Sequence, residues 1–423
     1  MKKALLLSVV ASSMIMAGGD IAPVEPVVET PAPAASGWEF SGTGVVYYQT
    51  VDVEDYSLFD QESSAADAGI QLRATNSDVV AGIGAGVEVS GLATLNLENW
   101  MVSNVMQGTA NGGDLDDMTD GGWISQAYLT YGFGNTSIKA GRQELPKALS
   151  PFAYSEDWNV FKNTFDAVLV VNSDLPDTTL VGAWVAGANH NAFGAGNNIT
   201  DFNSLNDERG VFMLTAQNKS IANLTLTGSY YFANEYVTSD NLNILWGDAQ
   251  YDASSFNVGI QGGTVMHDAF DTYAEGDLVA FGAKVGAEFN GINVMAAYAN
   301  VNDGGLDTTP TGANAEGMFN IGGTTSALYT DLVADQLIGV EARYDMDKFV
   351  VKGHMDALGG TIGAAYGYTD FNTYDDELNE FDLTYTTNIA GSVDLTAAYV
   401  YLDTDSDEYD GVSVVRVIGS YNF

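Results

Sequence analysis

From Trp38 to the C-terminus, apolar and polar residues alternate with a period of two over many short segments. The last segment shows the pattern most clearly. Val415, Val417, Gly419, Tyr421 and Phe423 fall on one face, and Arg416, Ser420 and Asn422 on the other, with Ile418 an apolar intruder among the polar set. Successive side chains of a strand point to opposite sides, so such a segment has one greasy and one wet face. The same rhythm runs through Phe381-Leu383-Tyr385, Leu224-Leu226-Tyr230, Ala127-Leu129-Tyr131-Phe133 and Ile292-Val294-Ala296-Tyr298. One segment is a weak signal, and its repetition carries the weight.

Read this way, the chain predicts strands near 38–51, 68–77, 82–98, 122–133, 136–143, 164–172, 178–189, 208–217, 221–233, 241–251, 255–266, 277–289, 292–301, 335–345, 358–370, 378–387, 392–402 and 411–423. That is about 18, an even number, with 346–358 the hardest stretch to assign. The connections are two-sided in length. Gly134-Asn135, Asn218-Lys219-Ser220, Asp252-Ala253-Ser254 and Asn290-Gly291 read as tight turns, Asn-Gly being a strong hairpin signal. Between them come long connections at 52–67, 99–121, 143–163, 189–207 and 302–334. A soluble sandwich turns every 8–12 residues or so at both edges. Roughly 21 residues per strand, with short turns on one side and long loops on the other, is the pattern of a transmembrane β-barrel. The expected fold is therefore an all-β, antiparallel transmembrane barrel over 38–423.

The segment before it changes the picture in one respect, the compartment. Lys2 and Lys3 precede an apolar run from Ala4 to Ala17, the layout of a secretory signal peptide spanning 1–17. The run is short for a spanning helix, which needs about 20 residues. Residues 18–37, with Pro23, Pro26, Pro31 and Pro33, read as a periplasmic linker or plain disorder, since proline cannot donate to a ladder. Later in the chain no apolar run is long enough for a membrane helix. A chain crossing lipid without such helices must close its sheet, because hydrocarbon offers no partner to a bare peptide group. The expected location is the bacterial outer membrane.

Charge and composition exclude several functions. Fifty-six acids stand against 14 bases, a formal net charge of −42, which disfavours nucleic-acid binding. A hydrophobic content of 46% argues against disorder as the reason for that charge. Cysteine is absent, so thiolate nucleophiles and thiolate metal sites are out. His190, His267 and His354 lie in or near different connections, with no metal-ligand spacing between them. The Gly82–Gly86 stretch reads as wall packing and not as a phosphate loop, because no helix follows. No compact Ser or His motif marks an enzyme. A barrel hydrolase would need a triad assembled in space.

The segment Ser125-Gln126-Ala127-Tyr128-Leu129-Thr130-Tyr131-Gly132-Phe133-Gly134, running to Lys139-Ala140-Gly141-Arg142-Gln143-Glu144-Leu145, resembles the OprD-like porins and the major outer-membrane porins of campylobacteria. The likeness continues at Asn163-Thr164-Phe165-Asp166-Ala167-Val168. It covers about 125–185 with specific wording, and the remainder only in hairpin rhythm. The resemblance implies an 18-stranded barrel, often trimeric, whose third external loop folds inward to narrow a pore. It implies passive diffusion of small hydrophilic solutes. A non-conducting barrel serving adhesion or surface structure is the alternative. About 18 strands leave a lumen too wide for side chains alone to fill, which favours the pore.

On that expectation the constriction falls on Arg142, Glu144, Lys147, Glu156, Asp157, Lys162 and Asp166. The stretch between Glu144 and Lys162 also holds Pro146, Pro151, Phe152, Tyr154, Trp158 and Phe161, more aromatics than an ordinary external loop carries. Charges of both signs facing across an opening set a transverse field. Arg142 and Asp166 read equally well as a surface salt bridge. Parity or position puts Arg73, Lys139, Lys284, Arg343, Asp382 and Arg416 on the lumen side. The acid excess predicts cation enrichment at the mouth, over a Debye length of about 8 Å. Tyr421 and Phe423 close the chain with the aromatic ending read by barrel assembly machinery, the expected assembly partner. Outer-membrane lipid and lipopolysaccharide are the expected surroundings, and a homotrimer the expected assembly. No cofactor is expected. Asp403, Asp405 and Asp407 have the spacing that opens a calcium loop, but Glu408 stands where Gly is needed. They and the acids of 111–122 read as solvated loops, with weak calcium binding the alternative.

Overall fold

The structure is a computed structural model that describes residues 37–52, 56–95, 107, 120–191, 199–236, 241–253, 255–267, 276–302, 304, 320–338, 345–372, 376–404 and 411–423. In chain order the strands are β1 (Glu39–Asp52), β2 (Ser64–Val80), β3 (Ile83–Ala93), β4 (Asp120–Phe133), β5 (Thr136–Gln143), β6 (Phe165–Asn172), β7 (Thr178–Ala188) and the two-residue β8 (Asn203–Ser204). They continue as β9 (Val211–Ile221), β10 (Leu224–Ala233), β11 (Leu242–Asp252), β12 (Phe256–Met266), β13 (Leu278–Phe289) and β14 (Ile292–Val301). After a short helix, α1 (Val333–Ile338), come β15 (Met346–Ala357), β16 (Gly360–Phe371), β17 (Asp376–Ile389), β18 (Val393–Thr404) and β19 (Val412–Asn422).

Apart from β8, each strand pairs antiparallel with its neighbours in sequence; the two-residue β8 pairs against the last residues of β7, which otherwise pairs directly with β9. β1 meets β2 on one side and β19 on the other, so the sheet closes into an 18-stranded barrel. At the seam, Tyr48 lies opposite Val417, and Gly42 and Phe423 exchange backbone hydrogen bonds of 2.8 and 2.9 Å. Closure satisfies the backbone groups that an open edge would leave bare, each costing several kcal/mol in hydrocarbon.

The period of two sorts the wall. Leu129, Leu214, Ile260, Phe281 and Leu383 are exposed on the outer face, while their neighbours Met213, Gln261, Ala280, Asp382 and Thr384 are buried on the inner one. The tight turns fall at one rim. At Asn290-Gly291 both residues have positive φ, 53° and 78°, the geometry whose twist matches a two-residue hairpin. The turn between β9 and β10 is Ala222-Asn223, so Asn218-Lys219-Ser220 belongs to β9 instead.

One predicted strand is misplaced. Residues 333–338 form α1, 339–344 lie outside the described residues, and the wall strand is β15, from Met346 to Ala357. Phe349, Val350 and Val351 are apolar on both faces, which hides the alternation. Val350 faces inward yet is fully buried, because Leu332 and Ala365 cover it. The turn after β15, Leu358-Gly359, again has both φ positive, 56° and 81°.

Candidate pore and the segments packed in it

The connection from β5 to β6 begins with Glu144 and a short 3-10 turn at Lys147–Leu149, which Pro146 precedes. Its apolar side chains are almost completely withdrawn from solvent, Phe152 and Trp158 to 2%. Phe152 meets Tyr231 and Trp246 edge-on, with ring centroids 5.6 and 5.4 Å apart. Both partners belong to the buried faces of β10 and β11, opposite the exposed Tyr230 and Leu245. The Tyr231 hydroxyl also accepts the Phe152 N–H at 3.2 Å.

The same connection is bonded to residues 320–326, more than 150 positions away. Ile321 N–H donates to the Phe152 carbonyl (3.0 Å), and Tyr154 N–H to Asn320 Oδ1 (2.8 Å). Glu156 is the centre of this junction. Its buried carboxylate accepts from Trp158 Nε1 (2.7 Å), Asn320 Nδ2 (3.1 Å), the Thr324 amide (3.1 Å), and the amide and hydroxyl of Thr325 (2.9 and 2.6 Å). With its oxygens so occupied, Glu156 fastens two segments and does not present a free charge.

A mixed charge cluster lies at the base of the connection. Arg73 touches Glu88 at 2.6 Å and Glu144 at 3.5 Å, Lys162 reaches Glu144 at 3.5 Å, and Gln126 donates to both acids. Burial raises the Glu144 carboxyl, but the charges of Lys162, Arg73 and Lys139 outweigh it and hold the group below the usual carboxylate range. Glu144 in turn raises Lys162 above the usual ammonium value, against burial. Lys139 lies over the Tyr128 ring, 3.9 Å from its centroid.

A second set surrounds 320–338. Lys147 pairs with Asp331 at 3.1 Å, and Lys348 with Asp335 at 3.3 Å, both members of the latter pair being buried. The α1 amides of Val333 and Ala334 donate to Asp382 (3.3 Å) and Glu380 (2.7 Å) of β17. The Tyr329 hydroxyl donates to Asp248, and Lys284 sits 4.3 Å from the Tyr329 ring centroid while bonding Gln250 at 3.0 Å. Lys352 Nζ is buried without a hydrogen-bond partner among the described residues.

The predicted residues thus divide. Glu144 and Lys162 pair with one another, Lys147 pairs with Asp331, Glu156 joins its segment to Thr325, and Asp157 is exposed. Arg416 is buried between Tyr47 and Trp158, donating to Gln336 (2.7 Å) and Gln49 (3.3 Å). Arg142 and Asp166 do form a two-point ion pair, at 2.9 and 3.0 Å. Their register, however, is opposite Ala127 and on the face of Leu129 and Val168. The pair therefore faces outward, beneath the Phe202 ring, and lines no pore. Arg343, Asp405, Asp407 and residues 111–119 lie outside the described residues. Tyr421 and Phe423 stack at 5.8 Å beside the seam. What sequence reasoning missed is 320–338, with Tyr329, Asp331, Asp335, Lys348 and Glu380. The signal was present: Ile321, Leu328, Leu332 and Val333 are too apolar for a connection bathed in water.

An even-stranded, closed antiparallel cylinder with an apolar exterior and charged interior defines a β-barrel of the outer-membrane type. Neither a protein-family model nor a curated protein matches the chain. Among solved structures it is similar to OccK8 (OprE) of Pseudomonas aeruginosa, with 17% identity, TM-score 0.68 and coverage of 93% of this chain and 99% of that one. It is likewise similar to OccAB1 of Acinetobacter baumannii (14% identity, TM-score 0.70, 91% and 96% covered) and to P. aeruginosa OpdK, solved with vanillate (13%, 0.69, 92% and 100%).

Proposed function

We propose that this protein is an outer-membrane porin through which small hydrophilic solutes and ions diffuse passively. One observation carries the reading: residues 144–164 and 320–338 are bonded to each other and to the inner wall, so the two segments narrow a lumen that the strands alone would leave wide. Charged groups of both signs then border the remaining passage and give it a transverse field. The likeness in fold to OccK8, OccAB1 and OpdK supports the same reading.

The passage favours cations. Arg73, Lys147, Lys162 and Lys348 each contact a carboxylate, which offsets their positive charge. The acid excess of the whole chain adds cations at the mouth. Single-channel recording of purified protein in planar bilayers tests both parts. Discrete conductance steps, with a reversal potential favouring the cation in a salt gradient, are expected. Silence under voltage would leave the non-conducting surface barrel in its place, and a chloride preference would remove the selectivity alone.

A further inference from the structure

The Glu156 carboxylate fastens the connection between β5 and β6 to residues 320–325. The far end of that connection, beyond Trp158, is held by a residue from elsewhere in the chain. Gln107, between β3 and β4, is fully buried. Its side-chain amide meets the Phe161 backbone at both polar groups, accepting the Phe161 N–H (3.0 Å) and donating to the Phe161 carbonyl (2.9 Å). A neighbouring strand would satisfy that backbone in the same way, and here one side chain does so. Gln107 Nε2 also donates to Asn191 Oδ1 at 2.6 Å, so both donors and the acceptor of the amide are engaged. The Gln107 N–H donates to Asp67 of β2 at 2.9 Å, which ties this point to the wall. Asn320 treats Tyr154 alike, accepting its N–H (2.8 Å) and donating to its carbonyl (2.7 Å).

Asn191 carries the fastening into the connection between β7 and β9. Its Nδ2 donates to the Glu156 carbonyl (3.0 Å) and its N–H to the Gly322 carbonyl (3.0 Å), while Asn159 Nδ2 donates to the Asn191 carbonyl (3.3 Å). The wall seats the Phe161 ring as well. The ring lies over Gly69 of β2, where a Cβ would come within 2.5 Å of it, and meets Trp123 of β4 edge-on, with centroids 6.1 Å apart. The next residue, Lys162, is the cation that reaches Glu144 at 3.5 Å in the mixed charge cluster. An ammonium on a flexible four-carbon stem keeps a defined place only if its backbone root does. The bonds at Phe161 fix that root.

We infer that Gln107 is a positioning residue for the constriction. It pins the 159–163 end of the connection between β5 and β6 at a second point, apart from the Glu156 carboxylate. By holding the Phe161 backbone it sets where Lys162 stands beside the passage. The effect on permeating ions rests on the pore reading, whereas the pinning itself does not.

Gln107→Met keeps an unbranched side chain of similar length and removes the amide. Barrel closure in the variant is checked first, by heat-resistant migration on gels. By hydrogen exchange and mass spectrometry, peptides covering 159–163 should then exchange at least about tenfold faster than in wild type. Those covering 324–328, held by Glu156, should stay near the wild-type rate. Gln107→Asn, with its amide one methylene short, should fall between. Wild-type exchange at 159–163 in both variants overturns the proposal, as does equal acceleration at 324–328. The place of Lys162 is read electrically. Lys162→Gln should move the reversal potential toward the cation in the wild-type background, and by less than about half as much in Gln107→Met. Equal shifts in the two backgrounds, or no shift in either, overturn the positioning of Lys162. A silent channel would sink the pore reading, and hydrogen exchange would still decide the pinning.

Discussion

Replacing Glu156 by alanine should release the two inner segments from each other. Five donors converge on that carboxylate, all of them at 2.6 to 3.1 Å. A hydrogen bond to a charged group contributes about 1.5–3 kcal/mol, and a buried donor left unpaired costs about 1–3 kcal/mol. The five are not additive, and water entering from the lumen will satisfy some of them. Two lasting losses give about 3–6 kcal/mol for the junction. At a factor of ten per 1.4 kcal/mol, local opening becomes about 100-fold to 10,000-fold more frequent. Hydrogen exchange read by mass spectrometry is the assay, because it reports local opening free energies. Peptides covering 152–163 and 320–328 should exchange at least about 100-fold faster in Glu156→Ala, while those in β9 to β12 stay at the wild-type rate. Glu156→Gln keeps one acceptor oxygen and should fall between. If both variants exchange at these segments as the wild type does, the two are held by something other than this carboxylate.

Acid should act on Glu144 in a defined direction. Its folded value is depressed, so its contribution is complete above the ordinary carboxylate value of about 4 and fades as pH falls through the lower folded one. Hydrogen exchange of 144–162 should therefore stay slow at about pH 4 and rise below it, and Glu144→Gln should lose that response. Arg142→Ala should leave the reversal potential unchanged, since the side chain faces outward. A shift in the Arg142 variant would mean the register argument is wrong. Gly141 has φ +124°, and a Cβ there would lie 2.2 Å from the Ala127 carbonyl. Gly141→Ala should yield markedly less heat-resistant folded barrel on gels, and a wild-type yield would contradict the close approach of β4 and β5.

The wall was legible because its rules are local. A period of two, tight turns such as Asn290-Gly291 and long intervening connections each follow from a few adjacent residues, and closure follows from the demand that no peptide group be bare in lipid. Even the outward face of Arg142 was available by counting three positions from Lys139, although its place beside the loop suggested otherwise. The buried character of the stretch between Glu144 and Lys162 was legible too, through the aromatic residues crowded there.

The bore was not. Val350 and Lys348 look out of place on the inner face of β15 until Leu332 and Asp335 are laid against them. Glu156 looks like one more loop acid until Thr325, 169 positions away, donates to it twice. A closed wall, greasy outside and wet within, can be read from the residues alone, because that pattern repeats from strand to strand. What packs against its inner face emerges only in the folded molecule, because single contacts between distant segments have no period to betray them and each gains its energy from burial that exists only after the cylinder has closed.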